Sequence, residues 1–215
     1  MGALPGYLAS VWLTPTTGSV AFTNLNLVDS GDHKTFNVTV NDAKRYWDPS
    51  VALTVQTAPD GSTWTTANPS TYTVRYVNGQ VVFASAVTGG TPSARVSAGN
   101  YFPLSFLGDA KSVNLKPQLD VQDVTTWQNP SVGWKTKLAL LGDVDISLGK
   151  YWVDTTFLGY LGNRLVVVAY DGENPNQRFE CFAFMKDESI KIAAKDPIGD
   201  DISFVSDGAV YFIAS

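Results

Sequence analysis

The sequence is short of the residues on which most catalytic and metal chemistry is built. It has one cysteine, Cys181, and one histidine, His33, in 215 residues. A single cysteine excludes an intrachain disulfide and a multi-cysteine metal cage, and it fits folding in a reducing compartment. A lone cysteine in an apolar strand is read as core. Any histidine-based nucleophile relay would have to rest on His33, which sits in DSGDHK, a glycine-containing loop suited to a solvated turn. Asp29, Asp32 and His33 together lack the full ligand series of a calcium loop, including its distal bidentate glutamate. An Asx-type turn explains them as well.

Charge is scarce too, at 16% of residues, and what there is leans acidic: 15 Lys and Arg against 20 Asp and Glu, a net charge of -5. That balance argues against a protein that grips nucleic-acid phosphates, which takes clustered basic side chains. No uninterrupted apolar run is long enough to cross a bilayer, so no membrane anchor is expected. The opening MGALPGYLASVWL has no basic leader and is broken by Pro5 and Gly6, unlike a signal peptide. A glycine-rich phosphate loop, a metal triad and a nucleophile elbow are likewise missing. We therefore expect no enzyme, no cofactor and no metal.

What the chain does have is a globular, strand-forming composition: 44% hydrophobic residues, with 18 glycines and 11 prolines to make many turns. Its length allows one sizeable core or two small ones. Residues 1–24 are rich in Gly, Pro and Thr and show no sustained period, which reads as an arm packing on something else. From Lys34, KTFNVTVN sets Phe36, Val38 and Val40 against Thr35, Asn37 and Thr39, the alternation of a half-buried strand. NDAKRYWDP at 41–49 has room for a turn or two of helix, capped by Asn41 or Asp42 and ended before Pro49. In YTVRYVNGQVVF, Asn78-Gly79 predicts a two-residue type I′ hairpin.

Gly89, Gly90, Pro92 and Gly99 make 88–103 the expected boundary between two β units, at 25–100 and 101–215. Beyond it, SVNLKPQLDVQDVTTW and SVGWKTKLALLGDVDISLG read as further strands. Asp154 or Thr155 caps a short helix through Phe157, Leu158 and Leu161, with Gly162 at its left-handed end. Arg164 to Tyr170 reads as a buried strand. FECFAFM, SIKIAAK and a closing hairpin turning at Asp207-Gly208 complete the second unit, with Ile190 and Ile192 inward and Lys191 and Lys195 outward.

The acids Asp187, Glu188, Asp196, Asp200, Asp201 and Asp207 have the residue types of a glycosidase pair. They fall at strand ends and turns, where Asp is common and keeps edges soluble, and that is the preferred reading. Trp47, Trp64, Trp127, Trp134 and Trp152 are scattered over different elements, which favours packing over a sugar-stacking platform. Asn37-Val38-Thr39 matches a glycosylation acceptor but reads as mid-strand.

YTVRYVNGQVVFASAVTGGTPSARVSAGNYF resembles a stretch recurrent in structural proteins of tailed bacteriophages. From about Tyr101 the order of strands, Trp-containing loop, short helix ending in Gly, hydrophobic strand and late paired strands, closing in ISFVSDGAVYF, is similar to the phage tail tube family. The resemblance covers about the last half of the chain, and the β unit before residue 100 is an addition that the smallest tube proteins lack. It implies a mainly β fold, a β-sandwich or barrel of the tail tube type with one short helix plus a smaller N-terminal β unit. It also implies subunits that close into six-membered rings, with inner sheets joined in one barrel and the rings stacked into a tube that conducts DNA without specific binding.

The partners so implied are further copies of the chain, a tape-measure protein and tail-end proteins, in a virion assembled in the host cytoplasm. Lys191, Lys195, Asp200 and Asp201 are the candidate assembly surface. Two other functions stand beside this one: a capsid decoration or head-tail connector protein, and a carbohydrate-binding β-sandwich module.

Overall fold

Five consecutive buried residues, Leu165 to Ala169, show how the chain is arranged. A strand with one wet face alternates; one buried on both faces does not. Leu165, Val167 and Ala169 belong to one core, while Val166 and Val168 belong to another on the opposite face. This strand is therefore sandwiched between the inside of its own sheet and a second body of structure.

The computed structural model describes residues 10–15, 18–109, 112–123, 137–151, 157–170, 177–191 and 199–213. Over these the chain is mainly β, in two curled antiparallel sheets. The strands are β1 Ser10–Pro15, β2 Val20–Asp29, β3 Thr35–Asn37, β4 Thr54–Ala58, β5 Thr65–Thr66, β6 Tyr72–Arg75, β7 Gln80–Phe83, β8 Ser93–Tyr101, β9 Ser105–Asp109, β10 Ser112–Asp123, β11 Lys137–Tyr151, β12 Arg164–Tyr170, β13 Arg178–Lys191, β14 Gly199–Ser206 and β15 Tyr211–Ile213. The larger sheet runs β10-β11-β14-β13-β12-β1-β9, with β15 also on β13; the smaller runs β5-β4-β8-β2-β3-β7-β6.

Connectivity alone requires the larger sheet to curl. Its edge strands β9 and β10 stand at opposite ends of the order, yet two residues separate Asp109 from Ser112. In a flat sheet seven strands at about 4.8 Å spacing would hold those edges roughly 29 Å apart. Three peptide steps reach about 11 Å. The sheet wraps round Ile146, Leu148, Leu165, Val167, Ala169, Cys181, Ala183, Met185, Ile202 and Phe204. The smaller sheet has its own core, centred on Phe22, Phe36, Trp47, Val55, Val81 and Val96.

Several local expectations change. Ser10–Pro15, expected as part of an arm, is a strand inserted between β12 and β9, and Val20 already opens β2 of the smaller sheet. The smaller sheet is thus an insertion between two neighbouring strands of the larger one. Gly89, Gly90 and Pro92 precede β8 and Gly99 lies within it; β8 pairs with both β2 and β4 and runs to Tyr101.

The hairpin of β6 and β7 is present, but Arg75 pairs with Gln80, which leaves a four-residue connection. Tyr76–Asn78 forms a 3-10 turn closed by left-handed Gly79, because Val77 turns into the packing between the sheets. Residues 41–49 make turns instead of a helix. Arg45, Tyr46 and Trp47 are buried in succession, Tyr46 and Trp47 in different cores, and one helical face has no place for three adjacent residues.

The helix before β12 is a 3-10 turn, Phe157–Tyr160, with Gly162 left-handed at φ 74° as expected. Its caps, Asp154 and Thr155, lie outside the described residues. Asp207-Gly208 makes no hairpin: β14 and β15 both pair antiparallel with β13, at 183–191 and 178–180 respectively, so the turn interrupts one path along β13.

Candidate assembly face and buried seam

Four strands of the larger sheet, β10, β11, β14 and β13, share one register. In β10, Val113 and Leu115 pack against the core of the larger sheet while Ser112, Asn114 and Lys116 are exposed. The register extends this across the sheet. Lys116 lies opposite Asp145, which lies opposite Val205, which lies opposite Phe184; Asn114 leads in the same way to Ser147, Ser203 and Asp187. A third row joins Ser112, Gly149, Asp201 and Ser189.

Opposite residues of an antiparallel pair share a face. One face of β10-β11-β14-β13 is therefore apolar and packed inward, and the other is mostly polar, carrying Asp145, Asp187 and Asp201 against Lys116, with Val205 and Phe184 its apolar members. Gln118 donates from Nε2 to the Asp145 carboxylate, tying the two hairpin strands together on that polar face.

Asp201 is exposed on this face, opposite Gly149 and Ser189. Asp200 stands opposite Lys150 and Ile190, and Lys191, the last residue of β13, opposite Gly199. Three of the four candidate residues thus meet at one end of the sheet. Lys195 and Ile192 lie outside the described residues.

The second feature, unmarked in the sequence, is a buried charge cluster between the sheets. Alternation along β13 turns Arg178, Glu180 and Phe182 to the outer face, where the smaller sheet docks. Glu180 is 0% exposed, Arg178 2% and Arg45 3%. Arg45 Nε donates to Glu180 Oε1 at 2.9 Å and Oε2 at 3.1 Å, and its Nη2 donates to Oε2 at 3.1 Å. Arg178 Nε donates to Oε1 at 2.7 Å and the Tyr46 hydroxyl to the same oxygen at 3.0 Å.

The remaining guanidinium groups are spent on the backbone and on tyrosine. Arg45 Nη1 donates to the Val38 carbonyl at 3.2 Å, Arg178 Nη1 to the Tyr170 hydroxyl at 3.2 Å, and Arg178 Nη2 to the Val40 carbonyl. One carboxylate is satisfied by two arginines and a tyrosine, the condition under which buried charge is tolerated. Burial, then the Glu180 charge, pushes the Tyr46 hydroxyl well above its ordinary pKa, so it remains a donor. Burial would lower the Arg178 pKa, but Tyr46 and Glu180 outweigh it and hold the group charged.

Tyr46, Val77, Phe102, Val166, Val168 and Phe182 surround the cluster with apolar packing. Arg75 of the smaller sheet lies over the Tyr211 ring of β15, 5.7 Å from its centroid.

The other residues weighed in the sequence have local roles. Asp29 Oδ1 accepts from the N–H groups of Gly31 and His33, and the His33 ring contacts the same carboxylate. Asp32 Oδ1 accepts from Lys34 and Thr35 N–H. Desolvation raises the Asp29 pKa, but the hydrogen bonds of the His33 ring and of the Gly31 and His33 N–H groups together outweigh it and hold the group below its usual range; the Thr35 and Lys34 N–H groups lower Asp32. Trp47 is sealed in the smaller core, and Trp64 lies under the Arg95 guanidinium, 4.2 Å from the ring centroid. Asp207 pairs with Arg164 at 2.6 Å.

No family model matches the chain, and no curated protein matches it. Two solved structures are similar to part of it. One is a chain of the virion of a native gene transfer agent particle: 14% identity, TM-score 0.38, covering 52% of this chain and 89% of that one. The other is a chain of the tail of an empty gene transfer agent particle with C6 symmetry: 13% identity, TM-score 0.39, covering 52% of this chain and 87% of that one.

Proposed function

We propose that the chain is a structural virion protein that self-assembles into stacked six-membered rings, the tail tube through which phage DNA passes into the host. The carrying observation is the four-stranded stretch β10-β11-β14-β13, apolar on its inner face and polar on its outer face, with β10 at the edge of its sheet. An edge strand with open N–H and C=O groups is a template for pairing with another copy. Pro117 in β10 is compatible with such an edge, since proline within sheets belongs there.

In a closed ring the polar face of these strands lines a wet channel. Asp143, Asp145, Asp187 and Asp201 outnumber Lys116 and Lys186 and give the described part of it a negative sign. That sign repels phosphates within roughly 8 Å at physiological salt and keeps DNA from adhering in transit. The number six comes from the sequence resemblance to tail tube proteins, and it is also the symmetry of the tail particle named above.

The smaller sheet docks over β12 and the start of β13, beside the bare polar stretch. Tape-measure and tail-end proteins are the partners this reading entails. Electron microscopy of the purified protein tests it: rings or tubes are expected, and binding to capsids but not to tails would select a decoration or connector role instead.

A further inference from the structure

The buried cluster leaves a charge unbalanced. Among the described residues, Glu180 is the one carboxylate bonded to the two guanidinium groups of Arg45 and Arg178. Arg178 also lines a cleft of about 320 Å³ at the seam of the two sheets, together with Val40, Ala43, Tyr46, Leu104 and Tyr170. An arginine has five N–H donors. Three of those of Arg178 go to Glu180, the Tyr170 hydroxyl and the Val40 carbonyl, which leaves one on each terminal nitrogen.

We infer that this cleft is a binding site for a carboxylate carried on a short apolar stem. Arg178 offers a fixed, charged donor pair held by Glu180, and Tyr170 adds a hydroxyl. Val40, Ala43 and Leu104 provide apolar wall for the stem. The volume suits a four- or five-carbon acid, at the small end of the range for ligand pockets. Asp42, also in the lining, is the opposing charge; its Oδ1 accepts from the Lys44 N–H at 2.8 Å, which directs it to its own loop. The carboxylate belongs either to a free aliphatic acid or to an acidic side chain of a second copy.

The test is calorimetric titration of the dilute full-length chain with pentanoate, using pentanamide as its uncharged twin. The site predicts saturable binding of one pentanoate, with the amide weaker by roughly tenfold or more, the worth of a charge-assisted hydrogen bond. Asp42→Asn should tighten binding, and Ala43→Trp at the exposed rim should abolish it without lowering the melting temperature. Equal affinity for acid and amide, or unchanged binding by Ala43→Trp, overturns the inference. A last arm assigns the source. Release of subunits from assembled protein by excess pentanoate points to a neighbouring copy, and unchanged assembly with binding retained points to a free acid. Because binding is read on dilute protein, failure to form rings leaves this result standing.

Discussion

Arg45 and Glu180 are 135 residues apart in sequence and joined by three hydrogen bonds between side chains almost wholly withdrawn from solvent. Arg45 lies in the loop between β3 and β4 of the smaller unit and Glu180 in β13 of the larger sheet, so the pair fixes how the inserted unit sits on the larger sheet. Its strength lies less in net stability than in what happens when one member is lost, since an uncompensated buried charge is costly.

Glu180→Gln therefore leaves two guanidinium groups facing each other across a neutral amide. The expected loss is about 3 to 5 kcal/mol, and the melting temperature falls by roughly 10 °C. Arg45→Met should cost less, because Glu180 keeps Arg178 and Tyr46 as donors. Urea unfolding of the two variants side by side checks the order, and an Arg45→Met loss larger than that of Glu180→Gln contradicts it.

Gly79 tests the same seam from the backbone. It has φ 59°, and an added Cβ would stand 2.6 Å from the Arg45 carbonyl and about 3 Å from Val38. Gly79→Ala pushes on the segment that delivers Arg45, with an expected cost of about 1 to 3 kcal/mol. Gly90, with open space around it, is the control and should accept alanine within about 0.5 kcal/mol.

Cys181 gives an alkaline signature. Burial, then the nearby Glu180 charge, pushes its thiol up from 9.0 to about 12. Between those values the unfolded chain has lost the thiol proton and the native chain keeps it, so stability falls as pH rises. It is fully present below pH 9. Tyr46, also raised, adds to the loss above its ordinary value of 10.0. Chemical denaturation from pH 8 to 11 should show this decline, and Cys181→Ala should flatten its lower part. A thiol reagent at pH 8 should react at the rate of unfolding; immediate labelling contradicts the buried assignment.

Strands were legible in the sequence where they alternate or run continuously apolar: KTFNVTVN in the smaller sheet, and RLVVVAY and FECFAFM in the larger, declare burial on one or both faces. The turns were legible as places but not as geometries. Asn78-Gly79 marked a reversal, yet the pull of Val77 into the seam set its length. Asp207-Gly208 marked a break, yet the free edge of β13 decided that the chain should continue and not return.

The charge cluster left little sequence signal. Arg45 sits in a polar loop and Glu180 in a mainly apolar strand, and nothing local pairs residues so far apart. The one hint was a glutamate within FECFAFM, where an unpaired acid is out of place. Asp201 was singled out as an acidic strand-end residue, and the register shows the row it shares with Ser112, Gly149 and Ser189.

That row leads to the assembly prediction. Asp201 is exposed on the polar face and Asp200 falls in the next row, opposite Lys150 and Ile190; Asp200→Lys with Asp201→Lys should impair ring stacking where the acids meet a basic neighbour. Normal tubes from the double variant would sink that contact.

The most direct measurement is negative-stain electron microscopy of the purified full-length chain over a rising concentration series, with class averages taken along the particle axis. The account predicts rings of six subunits that stack into hollow tubes, their inner walls formed by β10, β11, β14 and β13. Monomers alone, persisting at the highest concentration reached, would contradict it.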